Sequence, residues 1–506
     1  MSHIDHQRRF WLKTALITSG LGMAVSSCRK YDPADDLMTI RMGVPDVTAR
    51  LDPRFATDAF STRIGRLIYP ALIDFDKSSI PTPWIAKFWE WQDELNLLVE
   101  INTNLVFHHG KPLTVDDVIA SYRSVLDAKT ASPLKGPLRN LARVEKVAEG
   151  LVFSWHKPDK LALFRLTLPI MPADLLLSGH DFDQLPIGCG PCRFIRYEDQ
   201  SLTLQRQDGI FLSFIGVKDA SVRLLKLVRN ELDVLQNDLS PELVHHARSR
   251  SSIQVNSSAG TSFSYIGFNL SDPILSQLKV RQAIAHAIDR PLIIKRLLDD
   301  MARIGEGIFP SEHWCGLSSS VSGYEYNPAR AKQLLVEAGY AEGINLTYKT
   351  STDPTRVRLA TVYQSLLADV GIKLSIDSHD WGTFYSDIKQ GRFQLYGLAW
   401  VGVKSPEIFE YAFASYSKPP TGANRGRYHD EQLDELLKQA LIAPSMSEMS
   451  SAYKHIQQHL LKELPIIPLW HDHQVSVTRS NIKDYQLVSD GRYDALLLTR
   501  KGATNQ

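Results

Sequence analysis

"PIGCGPCRF", Pro186 to Phe194, supports two incompatible folds. Its Cys189-Gly190-Pro191-Cys192 string has the Cys-x-x-Cys spacing of a thioredoxin-type dithiol. A turn built from glycine and proline can also carry two cysteines without any chemistry. A reactive dithiol needs its first cysteine at a helix N-terminus, where the dipole lowers the thiol pKa. The chain continues past Cys192 as "RFIRYEDQSLTLQRQ", rich in β-formers and turn residues and without helical periodicity. The turn therefore leads into a strand. A dithiol redox protein using Cys189 and Cys192 is the remote alternative, and the pair reads as either a disulfide or two free thiols, with Cys315 unpaired.

Which of these holds depends on compartment, and the N-terminus speaks to that. Arg8 and Arg9 precede "TALITSGLGMAV", Thr14 to Val25, too short to span a bilayer but suited to a signal-peptide core. "VSSC", Val25 to Cys28, resembles a lipoprotein cleavage box, so residues 1–28 are expected to be a signal peptide and Cys28 the lipidated N-terminus of the mature chain. "RRFWLK" also resembles a twin-arginine signal, with Trp11 where that pattern favours Phe. The expected location is periplasmic or elsewhere in the cell envelope, with the protein held to a membrane by its lipid. Arg29 comes directly after the lipid site, so the aspartate that commonly retains lipoproteins at the inner membrane is absent.

The 506 residues allow about two to four domains. With 57 basic against 56 acidic side chains, the bulk charge does not suit a polyanion, and nucleic acid is not an expected partner. Strands and helices alternate from about Leu37 without an internal repeat, which predicts a mixed α/β or α+β fold. In "YNPARAKQLLVEAGY" Asn327 is an N-cap, Pro328 opens the helix and Gly339 stops it. Thr114 caps "VDDVIASYRSVL" in the same way, and Asp289 starts the second of two helices in "VRQAIAHAIDRPLIIKRLL". "SLTLQRQ", "INLTYKT" and "IKLSID" alternate with period 2 and read as strands.

In series, "LDPRFATDAFSTRIGRLIYPALIDFD" (Leu51 to Asp76), "LVFHHGKPLTVDDVIASYR" (Leu105 to Arg123), the Pro186 turn, "YIGFNLSDPILSQLKVRQAIAHAIDR" (Tyr265 to Arg290), "YNPARAKQLLVEAGY" and "DWGTFYSDIKQGRFQLYGLAW" (Asp380 to Trp400) resemble the family 5, oligopeptide and dipeptide type, solute-binding proteins of bacterial ABC importers. The resemblance runs from about Ile40 to Tyr493. In that family the turn reads Pro-x-Gly-x-Gly-Pro-x-x-Phe, which Gly188, Gly190, Pro191 and Phe194 keep. It implies a type II periplasmic-binding fold (cluster C-like): two lobes, one enlarged by an extra subdomain, closing on a ligand about a hinge. The implied division is lobe I at residues 37–49, 186–259 and 477–506, the extra subdomain at 50–185 and lobe II at 260–476.

The same resemblance implies a monomer that captures a small-molecule or peptide ligand, hands it to permease subunits, and is not an enzyme. It implies an aromatic wall at Trp381 and Trp400, with the backbone of Ala399 and Val401 on the ligand. Peptide-binding members carry an acid for the peptide ammonium where this chain has Val403. Loss of a buried counter-ion for a desolvated ammonium costs several kcal/mol, so a sugar, a metallophore, nickel or another small organic solute competes with peptide. Glu407 and Glu410 are the nearby acids. His471 and His473, two apart in a probable strand, share a face, and His471 is a further candidate ligand contact. Two imidazoles do not make a metal site, and neither metal nor cofactor is expected. No Gly-x-Ser-x-Gly, His-Glu-x-x-His or phosphate-binding glycine loop is present.

Overall fold

The computed structural model describes residues 37–502. The signal-like segment, the twin-arginine string and Cys28 lie outside the described residues.

Ten strands form one continuous path, in the order Ile372–His379, Ile344–Ser351, Leu395–Trp400, Ile253–Phe268, Ile466–Arg479, Val234–Gln236, Thr39–Val44, Phe211–Gly216, Ser201–Arg206 and Cys192–Glu198; Ala302–Ile304 adds to it beside Ile466–Arg479. The 16-residue and 14-residue strands at its centre run antiparallel to each other and carry the chain between two α/β halves. Each half contains parallel pairs: Thr39–Val44 with Phe211–Gly216 and Val234–Gln236 on one side, Ile344–Ser351 with its two neighbours on the other. Parallel strands need covering on both faces. The helices Ala220–Val228, Leu278–Ala287 and Pro354–Ala368 supply apolar side chains for that, including Leu224, Ile284 and Tyr363.

A separate antiparallel sheet, ordered Ala86–Trp91, Asn96–Ile101, Gly150–Trp155, Leu141–Val147, is inserted between the first strand and the Pro186 turn. Its inward residues Leu97, Val99, Leu151 and Phe153 share a core with Tyr122. The insertion is narrower than the 50–185 stretch: Leu51, Ile64, Leu67, Tyr69, Met171 and Phe182 pack instead with Ile40, Met42 and Phe214.

The expected caps form at Asn327, whose Oδ1 accepts from the Arg330 amide at 3.0 Å, and at Asp289, which accepts from Leu292 at 2.9 Å. Thr114 is the N-cap as expected, and Asp117 closes a capping box with it. The Asp117 carboxylate accepts from both the amide (2.7 Å) and the hydroxyl (2.8 Å) of Thr114, and its other oxygen accepts from the Ala173 amide at 2.7 Å.

Cys192 opens a strand, as its sequence indicates. The two thiols are free rather than bridged. Cys189 is buried in the core of the inserted sheet and Cys192 in the core around Phe214. Burial pushes both thiols up to about 12, the opposite of what a thiolate nucleophile requires.

Candidate functional site

Three segments distant in sequence enclose the main cavity, about 700 Å³ in volume. The first is the helix Ala59–Ile68 and its approach. Asp58 caps it, one oxygen accepting from the Ser61 amide at 2.8 Å and the other from the Ser61 hydroxyl at 2.5 Å. Ile64, Leu67 and Ile68 face the core, which turns Thr62, Arg63 and Arg66 toward the cavity. The second segment comes after the strand Leu395–Trp400. The chain reverses at Gly402, whose φ of +66° suits a residue without Cβ, and Val401, Lys404, Ser405 and Glu407 form the opposite wall. The third is the C-terminal stretch carrying Asp490 and Arg492, with Phe164, Arg165 and Leu168 of the insertion closing one end.

The wall is charged and mostly paired. Lys404 Nζ meets Asp490 at 2.6 Å. Arg66 bridges Asp74 at 2.5 Å and Asp494 at 2.9 Å, with its guanidinium 4.4 Å from the Trp84 ring centroid. Arg492 reaches Asp74 at 2.9 Å. Arg165 pairs with Glu407 at 2.9 Å and with Asp159. Burial raises the Asp490 carboxyl, but the Lys404 and Arg492 charges outweigh it and hold the group below its ordinary value. For Lys404 burial wins and the ammonium lies below the usual lysine range. Burial likewise prevails at Glu407, raising it despite Arg165.

Of the residues expected at the site, Val401 lines this cavity and is 57% exposed. Ala399 and Trp400 end a strand whose register with Ile344–Ser351 stops at Tyr396, so one backbone edge beside them has no strand partner among the described residues. The Trp400 ring turns away from the main cavity to stack on Tyr265 at 6.4 Å, and the Arg425 guanidinium lies 4.8 Å from its centroid. Arg425 donates to the hydroxyls of Tyr265 (3.1 Å) and Tyr385 (3.3 Å). Trp381, the first residue of a helix capped by Asp380, stacks on that same Tyr385 at 5.5 Å and is 59% exposed. The two tryptophans are therefore joined through Tyr385 and Arg425 rather than facing one another.

Val403 packs against the large core and does not reach the cavity. Glu407 does, while Glu410 is taken by Arg139 at 2.9 Å. His471 is buried beside Phe263, its Nε2 3.1 Å from the Ile308 carbonyl, and burial holds it down to about 4, so it is neutral and built into the long central strand Ile466–Arg479. His473 sits 3.3 Å from the Ser257 hydroxyl, and no metal-binding group of three His, Cys, Asp or Glu occurs among the described residues.

Sequence reasoning missed Arg63, Arg66, Arg165, Lys404, Asp490 and Arg492. An isolated charged residue in a sequence reads as a solvated surface group, and only the fold shows that these converge.

A family model described as "Bacterial extracellular solute-binding proteins, family 5 Middle" matches residues 81–422. Di/tripeptide-binding protein 1 of Pseudomonas aeruginosa (strain UCBPP-PA14) is 24% identical, covering 95% of this chain and 97% of that relative. Heme-binding protein A of Haemophilus influenzae is 26% identical over 85% and 86% of the two chains. Among solved structures, NikZ from Campylobacter jejuni in complex with Ni(L-His) superposes with a TM-score of 0.79 at 22% identity, covering 92% of this chain and 100% of that one. The expected two-lobe type II periplasmic-binding fold is the fold of this chain.

Proposed function

The chain belongs to the bacterial extracellular solute-binding proteins of family 5, solute-binding components of ABC importers, and on that premise we propose that it captures a peptide-like solute in the 700 Å³ cavity by hinge closure and presents it to permease subunits. The observation carrying this reading is the composition of the cavity wall. Pro53–Phe75, Val401–Glu407 and Asp490–Arg492 come from opposite sides of the two long central strands, so a solute between them favours the closed arrangement to the extent that it binds it better. The volume suits a small molecule or short peptide.

A non-peptide solute is the second reading, favoured by the Lys404–Asp490 pair, which keeps Asp490 from a ligand ammonium. Relatives that are named for peptide, heme and nickel–histidine show how widely family members differ in cargo. The two lobes on either side of the central strands, the periplasmic lipid anchor at Cys28, the monomeric state and a ligand contact at Val401 and along the open backbone edge of Ala399 are parts of this proposal. Native mass spectrometry of the purified protein tests it. A discrete adduct lost on denaturation is the expected result; a bare protein that no small peptide or organic solute protects against heat would contradict it.

A further inference from the structure

The acids and bases of the cavity wall are unequally satisfied. Asp74 has Arg66 and Arg492. Asp490 has Lys404 at 2.6 Å and Arg492 at 3.6 Å. Glu407 has Arg165, and Asp58 is engaged by Ser61 of its own helix. No carboxylate on the wall is left without a protein partner. Of the cations there, Arg63 has no carboxylate within ion-pair distance among the described residues; its guanidinium lies 5.2 Å from the Tyr493 ring centroid, and Asp238 acts on it only from farther away. A ligand ammonium entering this space would lose its water and find Asp74, Asp490 and Glu407 each already paired with a cation and both oxygens of Asp58 accepting from Ser61, so no carboxylate stands free to replace that water. A ligand carboxylate would find a planar fork of N–H donors with no acid on it, the geometry a guanidinium offers in bidentate pairing. One guanidinium without a counter-ion balances one negative charge, which suits a carboxylate better than a phosphate dianion.

Resting on the reading of this cavity as the solute site, we propose that it selects a solute bearing a carboxylate and no free ammonium, with Arg63 receiving the carboxylate and Lys404 excluding the ammonium by occupying Asp490. The two residues are specificity determinants of opposite sign.

Isothermal titration of the purified protein with three probes tests this: N-acetyl-dialanine (acid only), dialanine (both charges) and dialanine amide (ammonium only). N-acetyl-dialanine should bind at least about tenfold more tightly than dialanine, and dialanine amide should not bind, because an unmatched buried charge is the stronger discriminator. Lys404→Met should raise affinity for dialanine amide at least about tenfold, and Arg63→Gln should weaken N-acetyl-dialanine by a similar factor in protein that is still folded by circular dichroism. Equal binding of all three probes by the wild type, an unaffected Arg63→Gln, or no binding of any probe overturns the proposal. A solute retained in native mass spectrometry while no probe binds would leave capture standing and sink this inference alone.

Discussion

Gly190 donates its amide to the Ile68 carbonyl at 2.8 Å, locking the Pro186 turn onto the C-terminal end of the helix that presents Arg63 and Arg66 to the cavity. Its neighbour Gly188 passes so near that a Cβ would stand 2.0 Å from the same Ile68 oxygen. Gly188→Ala must therefore move backbone, not a flexible side-chain end. The expected loss is at least about 2–3 kcal/mol in urea unfolding. A loss below about 0.5 kcal/mol would show that the turn does not hold the helix.

The thiols give a test that separates a packed turn from a redox centre. Cys189, Cys192 and Cys315 are all buried and free, and burial raises the pKa of each. Native protein should resist alkylation at neutral pH and react at these three thiols only after denaturation. Fast labelling of Cys189 or Cys192 in the folded state would restore the dithiol reading.

His313 and His471 predict an acid limb. Burial holds both at about 4 in the folded protein, against about 6.5 when unfolded. Between those values the unfolded chain binds more protons, so stability is fully present above pH 6.5 and falls as pH drops toward 4. Each contributes on the order of 3 kcal/mol across that window. His313 donates Nε2–H to the Lys404 carbonyl at 2.9 Å, so the added proton goes to Nδ1 and breaks the contact that Nδ1 accepts from the Cys315 amide at 3.3 Å. Urea melts from pH 4.5 to 7 should steepen toward acid, and His471→Gln should remove about one proton from that dependence; an unchanged slope would contradict the assignment.

The Lys404–Asp490 pair should be asymmetric toward mutation. Asp490→Asn leaves a mostly buried ammonium without its main partner and is expected to cost about 1–3 kcal/mol, moderated by the residual exposure of the lysine. Lys404→Met leaves Asp490 with Arg492 at 3.6 Å and should cost less. Equal losses in thermal melts would mean that Arg492 does not compensate.

Local rules made much of the fold legible. Asn327, Pro328 and Gly339 bound a helix because cap chemistry is local, and the strand after Cys192 is explained by β-rich residues without helical period. The turn glycines were legible as a reversal but not as a close approach, because the Ile68 carbonyl they meet is 120 residues away in the chain from Gly188. The Thr114 cap was legible, but not the Ala173 amide that Asp117 also binds, a partner invisible to local spacing. At the site, Val401 lines the cavity, whereas Trp381, Trp400 and His471 do not. Whether an indole lines a cavity or packs on Tyr265 and Arg425 depends on tertiary neighbours. The convergence of Arg63, Lys404, Asp490 and Arg492 is long-range in the same sense.

Hydrogen exchange with the retained solute removed and then restored bears most directly on the central claim, that Pro53–Phe75, Val401–Glu407 and Asp490–Arg492 close together on a guest. The account predicts added protection in these three segments and in the long central strands that join the two halves. Protection confined to the Cys189–Cys192 turn or to the surroundings of His473, or none in any of the three segments, would contradict it.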